Sequence, residues 1–205
     1  MAKKAIPIET PTDLIIDSDT YKISDNNYNK KVTVKNKIFL ISSLMLEDDY
    51  YKRLKIKDNK NYPHFFISDK GIIYQNYNTD YYNDITKNVK FDKSNITICL
   101  ENLGWLTEND NGKFVNWYNV QVPENRIYKK PYRDKLTWHT YNNWQINSLK
   151  NLINYLCKLH NIKNDSVGHV FTVDEYSNYE GIICRSNIND NYTDLNPAFD
   201  FKILF

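Results

Sequence analysis

The sequence predicts an α/β fold in which a mixed central β-sheet is flanked by helices. Three observations lead to this prediction. Short runs of β-branched and aromatic residues recur through the first half of the chain, only one long segment has apolar residues at helical spacing, and that segment follows the runs. Because a helix with a single apolar face has to bury that face, strands followed by one long helix favour a layered α/β structure.

The first 34 residues are predicted to form an extended N-terminal arm, and residues 35–205 a single domain. The arm contains Pro7, Pro11 and a polar run over residues 25–31, which disfavour regular structure. A chain of 205 residues is long enough to bury a core without disulfides or metal ions.

The predicted strands begin with residues 37–42, a β-branched and aromatic run that is typical of a buried central strand. A short helix is predicted over residues 47–55. Residues 64–68 and 71–75 flank a compact turn in which Gly71 easily adopts a positive φ, so they predict a hairpin. Further strands are predicted over residues 95–101 and 112–118, and a loop over residues 122–135.

The long helix is predicted over residues 143–157. Its apolar residues lie three and four positions apart, which places them on one face that must pack on the sheet. These residues are Leu149, Leu152, Ile153, Leu156 and Cys157.

The composition excludes several classes of function. The 27 basic and 25 acidic residues are spread along the chain and leave a net charge of only +2, which argues against nucleic acid as a partner. No run approaches the roughly 20 apolar residues that span a bilayer, and no apolar signal-peptide region follows the basic start. Cys99, Cys157 and Cys184 are odd in number and lack C-x-x-C spacing, so they are predicted to be buried apolar residues.

Five motifs occur in the order of a known family. Residues 64–75 read H-F-F-I-S-D-K-G-I-I-Y-Q, residues 94–102 read S-N-I-T-I-C-L-E-N, and residues 145–156 fit Q-x-x-x-L-x-x-L-x-x-x-L. Residues 167–169 read V-G-H, and residues 193–201 read T-D-L-N-P-A-F-D-F. This order resembles the zinc N-acetylmuramoyl-L-alanine amidases, the type 2 amidase family that includes peptidoglycan recognition proteins and phage endolysins.

The resemblance covers about residues 36–203 and implies the fold and chemistry of that family. Its members hydrolyse the amide between N-acetylmuramic acid and L-alanine with a zinc ion held by two histidines and an aspartate or cysteine. Three protein ligands leave one position for a water whose pKa drops to about 7. Residues 180–187 resemble an insertion in amidase-like proteins of large tailed phages, and the composition, rich in Asn, Lys, Tyr and Ile, is typical of an AT-rich phage genome.

The resemblance assigns two metal ligands in this sequence. His169 matches the second histidine of the family, and Asp194 matches the aspartate. The first histidine should end the strand over residues 37–42, where Ile41 or at best Ser42 stands. Because neither side chain ligates zinc usefully, the zinc site is expected to be incomplete.

Three further residues are candidates for the catalytic machinery. Tyr192 stands where the family has a lysine that stabilises the oxyanion, and Arg185 is a second candidate for the same space. Glu101 is the candidate general base. Ordinary structural roles stay open for the predicted ligands: His169 as a core or surface histidine, and Asp194 as a turn or cap residue.

Three functions follow from these assignments. The sequence favours a degenerate, catalytically inactive amidase domain of a phage, with no cofactor, that binds peptidoglycan or serves as a structural module of the virion. The second is an active, zinc-dependent amidase whose third ligand comes from elsewhere, such as His139. The third is a purely structural virion protein. The predicted partners are therefore peptidoglycan or other virion proteins, and the predicted location is the virion or the host cytoplasm.

Overall fold

The computed structural model describes residues 14–56, 61–171, 176 and 178–205. Its strands are β1 (Ile16–Asp17), β2 (Lys37–Ser42), β3 (Phe65–Ile67), β4 (Ile73–Gln75), β5 (Asn95–Leu100), β6 (Thr107–Glu108), β7 (Phe114–Val115), β8 (Ile127–Tyr132), β9 (Lys135–His139) and β10 (Gly181–Cys184). Its α-helices are α1 (Glu47–Lys55), α2 (Val89–Ser94), α3 (Asn143–His160) and α4 (Arg185–Ile188), and single 3₁₀ turns lie at Asp25–Asn27, Glu124–Arg126 and Phe201–Leu204.

The central sheet has six strands in the order β1-β4-β3-β5-β2-β10. The β3–β4 hairpin is antiparallel and the other neighbours are parallel, which confirms the predicted mixed sheet. Every residue of β2 and β5 is buried. This explains why both strands are almost continuously apolar, since a central parallel strand is covered on both faces.

Each face of the sheet carries its own apolar layer. The long helix α3 packs on one face, and its buried side includes all five residues that the helical spacing predicted. On the other face, tyrosines of α1 pack against Phe39, Ile41 and Cys99. The helix α3 continues to His160 and ends at Asn161, which adopts the left-handed conformation common at helix C-termini.

Three predicted segments differ from the structure. The predicted loop over residues 122–135 contains β8, which pairs with β9 as a separate two-stranded ribbon. This ribbon tolerates Pro131, because proline is compatible with an edge strand that leaves one side unpaired. The predicted strand over 112–118 is reduced to Phe114–Val115, and the predicted arm contributes β1 to the sheet edge beside β4.

The boundary predicted at residue 34 stays a prediction, and residues 1–13 of the arm lie outside the described residues. Within the described part of the arm, Leu14 is buried in the layer of α3. No helix in the described part of the chain is long and apolar enough to cross a membrane.

Candidate functional site

The candidate site forms where β2 and β10 end. These strands are parallel neighbours, and their register places Leu40 opposite Cys184. The residues that follow this pair are Ile41, still in β2, and Arg185, the first residue of α4, and both line the same cavity at the carboxyl edge of the sheet. Side chains that follow neighbouring parallel strands converge at this edge, which is where open α/β sheets bind their ligands.

Asp194 lies at this edge with only 3% of its side chain exposed. Its Oδ2 atom accepts a hydrogen bond from the backbone N–H of Ser42 at 2.9 Å. The same oxygen lies 3.4 Å from Nε of Arg185. One carboxylate therefore joins the ends of both strands, and a guanidinium balances its charge.

Arg185 also contacts the third of the predicted residues at this edge. Its guanidinium lies over the ring of Tyr192, 4.9 Å from the ring centroid. The three predicted residues therefore form one cluster, and they also lie within ten positions of each other in the sequence: Arg185, Tyr192 and Asp194. The side chain of Arg185 is 22% exposed, so the cluster opens to solvent on one side.

His169 has a different environment. Its Nε2 atom donates to the carbonyl oxygen of Phe199 at 3.0 Å, and its ring packs edge-on against Tyr132 and Phe201. Burial among these groups lowers its pKa below the usual range. The residue beside Asp194 is Arg185 rather than His169, so the described contacts give no support to a metal pair formed by His169 and Asp194.

Glu101 directly follows β5 and has a structural set of partners. Its two carboxylate oxygens accept hydrogen bonds from the backbone N–H groups of Glu47, at 3.0 Å, and Asp69, at 2.7 Å. It thereby ties the start of α1 to the hairpin turn. Burial raises the pKa of Glu101. Its hydrogen bonds are made to Glu47 and Asp69, and none of them involves Arg185 or Asp194.

A cavity of about 600 Å³ opens beside the Arg185–Asp194 pair, and we call it the cleft. Its lining includes Ile41, Ser42, Arg185 and Tyr192. Sequence reasoning missed other residues that line it, among them Arg53, Lys87, Trp117 and Tyr50. It also missed Cys99, which pairs with Ile41 in the β2–β5 register. The four lining residues belong to none of the motifs, and although Cys99 lies in the motif over residues 94–102, only the fold brings these residues together.

The family described as N-acetylmuramoyl-L-alanine amidase matches residues 19–187, which is more than half of the chain. The chain belongs to this amidase family. No curated protein resembles the sequence closely enough to count as a match.

Two solved structures of amidases, AmiD and AmpDh3, share the fold. The amidase AmiD from E. coli, in complex with anhydro-N-acetylmuramic acid-L-Ala-D-γ-Glu-L-Lys, is 14% identical with a TM-score of 0.51, and the match covers 91% of this chain and 60% of that one. AmpDh3 from Pseudomonas aeruginosa, in complex with an anhydromuramic pentapeptide, is 16% identical with a TM-score of 0.51, covering 93% and 65%. A Clostridium intestinale endolysin is 15% identical with a TM-score of 0.39, covering 72% and 74%.

The residues at the strand ends of this amidase-family chain do not fit the zinc ion that the family implies. The carboxylate of Asp194 is already engaged by a cation and a backbone N–H group, and the neighbouring strand end carries the apolar Ile41. Among the described residues, no three His, Cys, Asp or Glu side chains lie close enough together to hold a metal. Three such ligands are the usual minimum for a catalytic zinc site.

His139, the alternative third ligand, lies in β9 and lines a separate cavity together with Glu101, Asp69 and Arg126. Its Nδ1 atom accepts a hydrogen bond from the N–H of Leu103 at 3.2 Å, which requires an unprotonated nitrogen. Burial lowers its pKa from 6.5 to about 4. The folded protein therefore holds this histidine neutral.

His139 should make the protein sensitive to mild acid. In the unfolded chain this residue binds a proton below about pH 6.5, whereas in the folded chain it does so only below about pH 4. The free energy of unfolding therefore falls as the pH is lowered through this window. Between pH 7 and pH 5 the loss should reach about 2 kcal/mol. Urea unfolding at both pH values should show a smaller loss for His139→Gln, and an unchanged loss would contradict this account.

Proposed function

We propose that this chain is an amidase-fold module that binds peptidoglycan in the cleft and does not hydrolyse it. The observation that carries the proposal is the pairing of Asp194 with Arg185 and with the N–H group of Ser42. A carboxylate with these partners is satisfied without a metal, and the family's hydrolysis relies on a metal-activated water. We further propose a phage particle as the setting of the module.

Peptidoglycan is the proposed ligand because two amidases of the same fold were solved with muramyl peptides. The cleft of this chain also offers aromatic faces that suit sugar rings. Trp117 is 45% exposed, yet its Nε1 donates to the carbonyl oxygen of Leu44 at 2.8 Å, and the guanidinium of Arg53 lies 5.7 Å from its ring centroid. The indole is therefore held in place before any ligand arrives, which reduces the entropy cost of binding.

Co-sedimentation with purified peptidoglycan sacculi tests this proposal. The unaltered chain should sediment with the sacculi. Trp117→Ala should weaken binding by about tenfold, because contacts with one aromatic ring are typically worth about 1 kcal/mol or more. Trp144→Ala is the matched control, since Trp144 is 71% exposed at the start of α3 and lies outside the cleft. This control should bind like the unaltered chain.

The same preparation is incubated with sacculi and added zinc, and released peptides are measured. We expect no release above the background of boiled protein. Zinc-dependent release of peptides would show an active amidase and overturn the proposal. Absence of co-sedimentation, with the protein folded, would favour the purely structural role in a virion.

A further inference from the structure

We propose that the cleft contains an anion-binding site in which Arg185, together with Arg53 and Lys87, binds a carboxylate or phosphate group. The inference deepens the proposed function, because it names the chemical group that the cleft recognises. It places this group next to Asp194, where family members use a metal ion. A fixed guanidinium would thus contact the ligand at the position where the sheet strands end.

The environment of Arg185 leaves donors for a ligand. Its Nε lies 3.4 Å from Asp194, and the guanidinium lies over the ring of Tyr192, so two contacts hold the group in position. Within the described residues, neither terminal nitrogen of Arg185 has a hydrogen-bond acceptor from the protein. A guanidinium has five N–H donors in a planar fork that matches carboxylate and phosphate oxygens. The terminal donors of Arg185, which lines the cleft, are therefore available to an anion.

The charge of the cleft supports the same ligand chemistry. Arg53, Lys87 and Arg185 line the cavity, and no Asp or Glu side chain is among its described lining residues. The charge of Asp194 offsets that of Arg185, but the cleft stays positive because nothing among the described residues forms an ion pair with Arg53 or Lys87. The whole chain carries a net charge of only +2, so this concentration of positive charge is local.

Two components of bacterial walls carry suitable groups. Peptide stems end in carboxylates, and anionic wall polymers contain phosphodiesters. Both fit a guanidinium fork, and Trp117 at the cleft wall can stack on an attached sugar. Both components present a pair of anionic oxygens next to a sugar ring. Probes with only one of the two groups can distinguish a peptide carboxylate from a phosphate as the ligand.

The test is isothermal titration of the full chain with three probes: a soluble muropeptide with free carboxylates, the same muropeptide with its carboxylates amidated, and glycerol 3-phosphate. A peptide source predicts that the free muropeptide binds about tenfold or more tightly than the amidated one. A phosphate source predicts binding of glycerol 3-phosphate instead. In either case, affinity should fall as salt is raised.

Substitutions of the three cationic residues test whether each of them contributes to binding of the anion. Lys87→Met and Arg53→Met remove exposed charges without touching the core, and each should weaken the anionic probe several-fold. The double variant Arg185→Met/Asp194→Asn removes both charges of the buried pair, so no charge is left unpaired, and it should weaken binding by about tenfold or more. Lys158→Met, on the exposed side of α3, is the matched control and should leave binding unchanged.

Two results would overturn the anion site. One is equal binding of the free and amidated muropeptides with no binding of glycerol 3-phosphate. The other is unchanged affinity of the best probe in all three cleft variants. If either result is found while the chain still co-sediments with sacculi, the anion site is refuted and peptidoglycan binding is not. Binding of glycerol 3-phosphate without co-sedimentation would support the anion site and refute the proposed function.

Discussion

Replacing both Ile41 and Arg185 by histidine should give this chain a zinc site. The two residues follow Leu40 and Cys184, which are paired in register on strands about 4.8 Å apart, so the two imidazoles would extend from neighbouring points at the end of the sheet. Asp194 already contacts both strand ends and would be the third ligand. Two histidines and an aspartate leave an open position, as in catalytic zinc sites.

Metal analysis after dialysis should find about one zinc per chain in the double variant. Zinc at about 100 times its dissociation constant should also stabilise the folded variant by about 2.7 kcal/mol, which thermal unfolding can detect. Ile41→His alone should bind weakly, because the guanidinium of Arg185 would remain against Asp194 and repel the metal.

The matched control is Ser42→His combined with Arg185→His. Successive side chains of a strand point to opposite faces, and the hydroxyl of Ser42 lies 3.4 Å from that of Tyr141, within the layer of α3. Histidine at this position should not complete the site. Equal zinc affinity in both double variants would show that the register argument is wrong.

Asp194→Ala should destabilise the protein by about 3 kcal/mol. The substitution leaves the guanidinium of Arg185 without its counterion and the N–H group of Ser42 without its acceptor. Complete burial of the pair would give a larger loss, but solvent reaches part of Arg185 and screens its charge. Urea unfolding at pH 7 measures the change.

Asp194→Asn separates the two contributions. The amide oxygen can still accept from Ser42, so this variant loses only the ion pair, and we expect a loss of about 1–2 kcal/mol. Asp190→Ala, at an exposed residue of the same segment, is the control. A loss below about 0.5 kcal/mol for Asp194→Ala would mean that the pair contributes little to stability.

The sequence predicted the parts of the fold that depend on local patterns. The bounds of α1 agree at both ends, and the hairpin, β2 and β5 lie where β-branched and aromatic runs placed them. These elements are specified by residues that are close together in the sequence, so periodicity and turn residues are enough to predict them. The ribbon of β8 and β9 was missed because Pro131 and its polar neighbours resemble a loop.

The site was harder to predict, because it depends on which segment becomes the strand beside β2. The letters G-H at residues 168–169 led to His169 as a metal ligand, which stays a prediction. The structure uses residues 181–184 as β10 and so brings Arg185 to Asp194. Pairing between residues about 140 positions apart leaves no local trace. One signal was present: the run G-I-I-C is typical of a short buried strand, and the residue after such a strand lies at the functional edge of the sheet.

The contact between Arg185 and Asp194 makes the charge balance of this edge intramolecular. In a protein that holds a metal there, the population of folded molecules depends on the concentration of the free ion, since binding shifts the folding equilibrium by mass action. A guanidinium that belongs to the chain is present at the same effective concentration in every molecule. Dilution and chelators cannot remove it, so the charge balance of this edge does not depend on the concentration of a free metal ion.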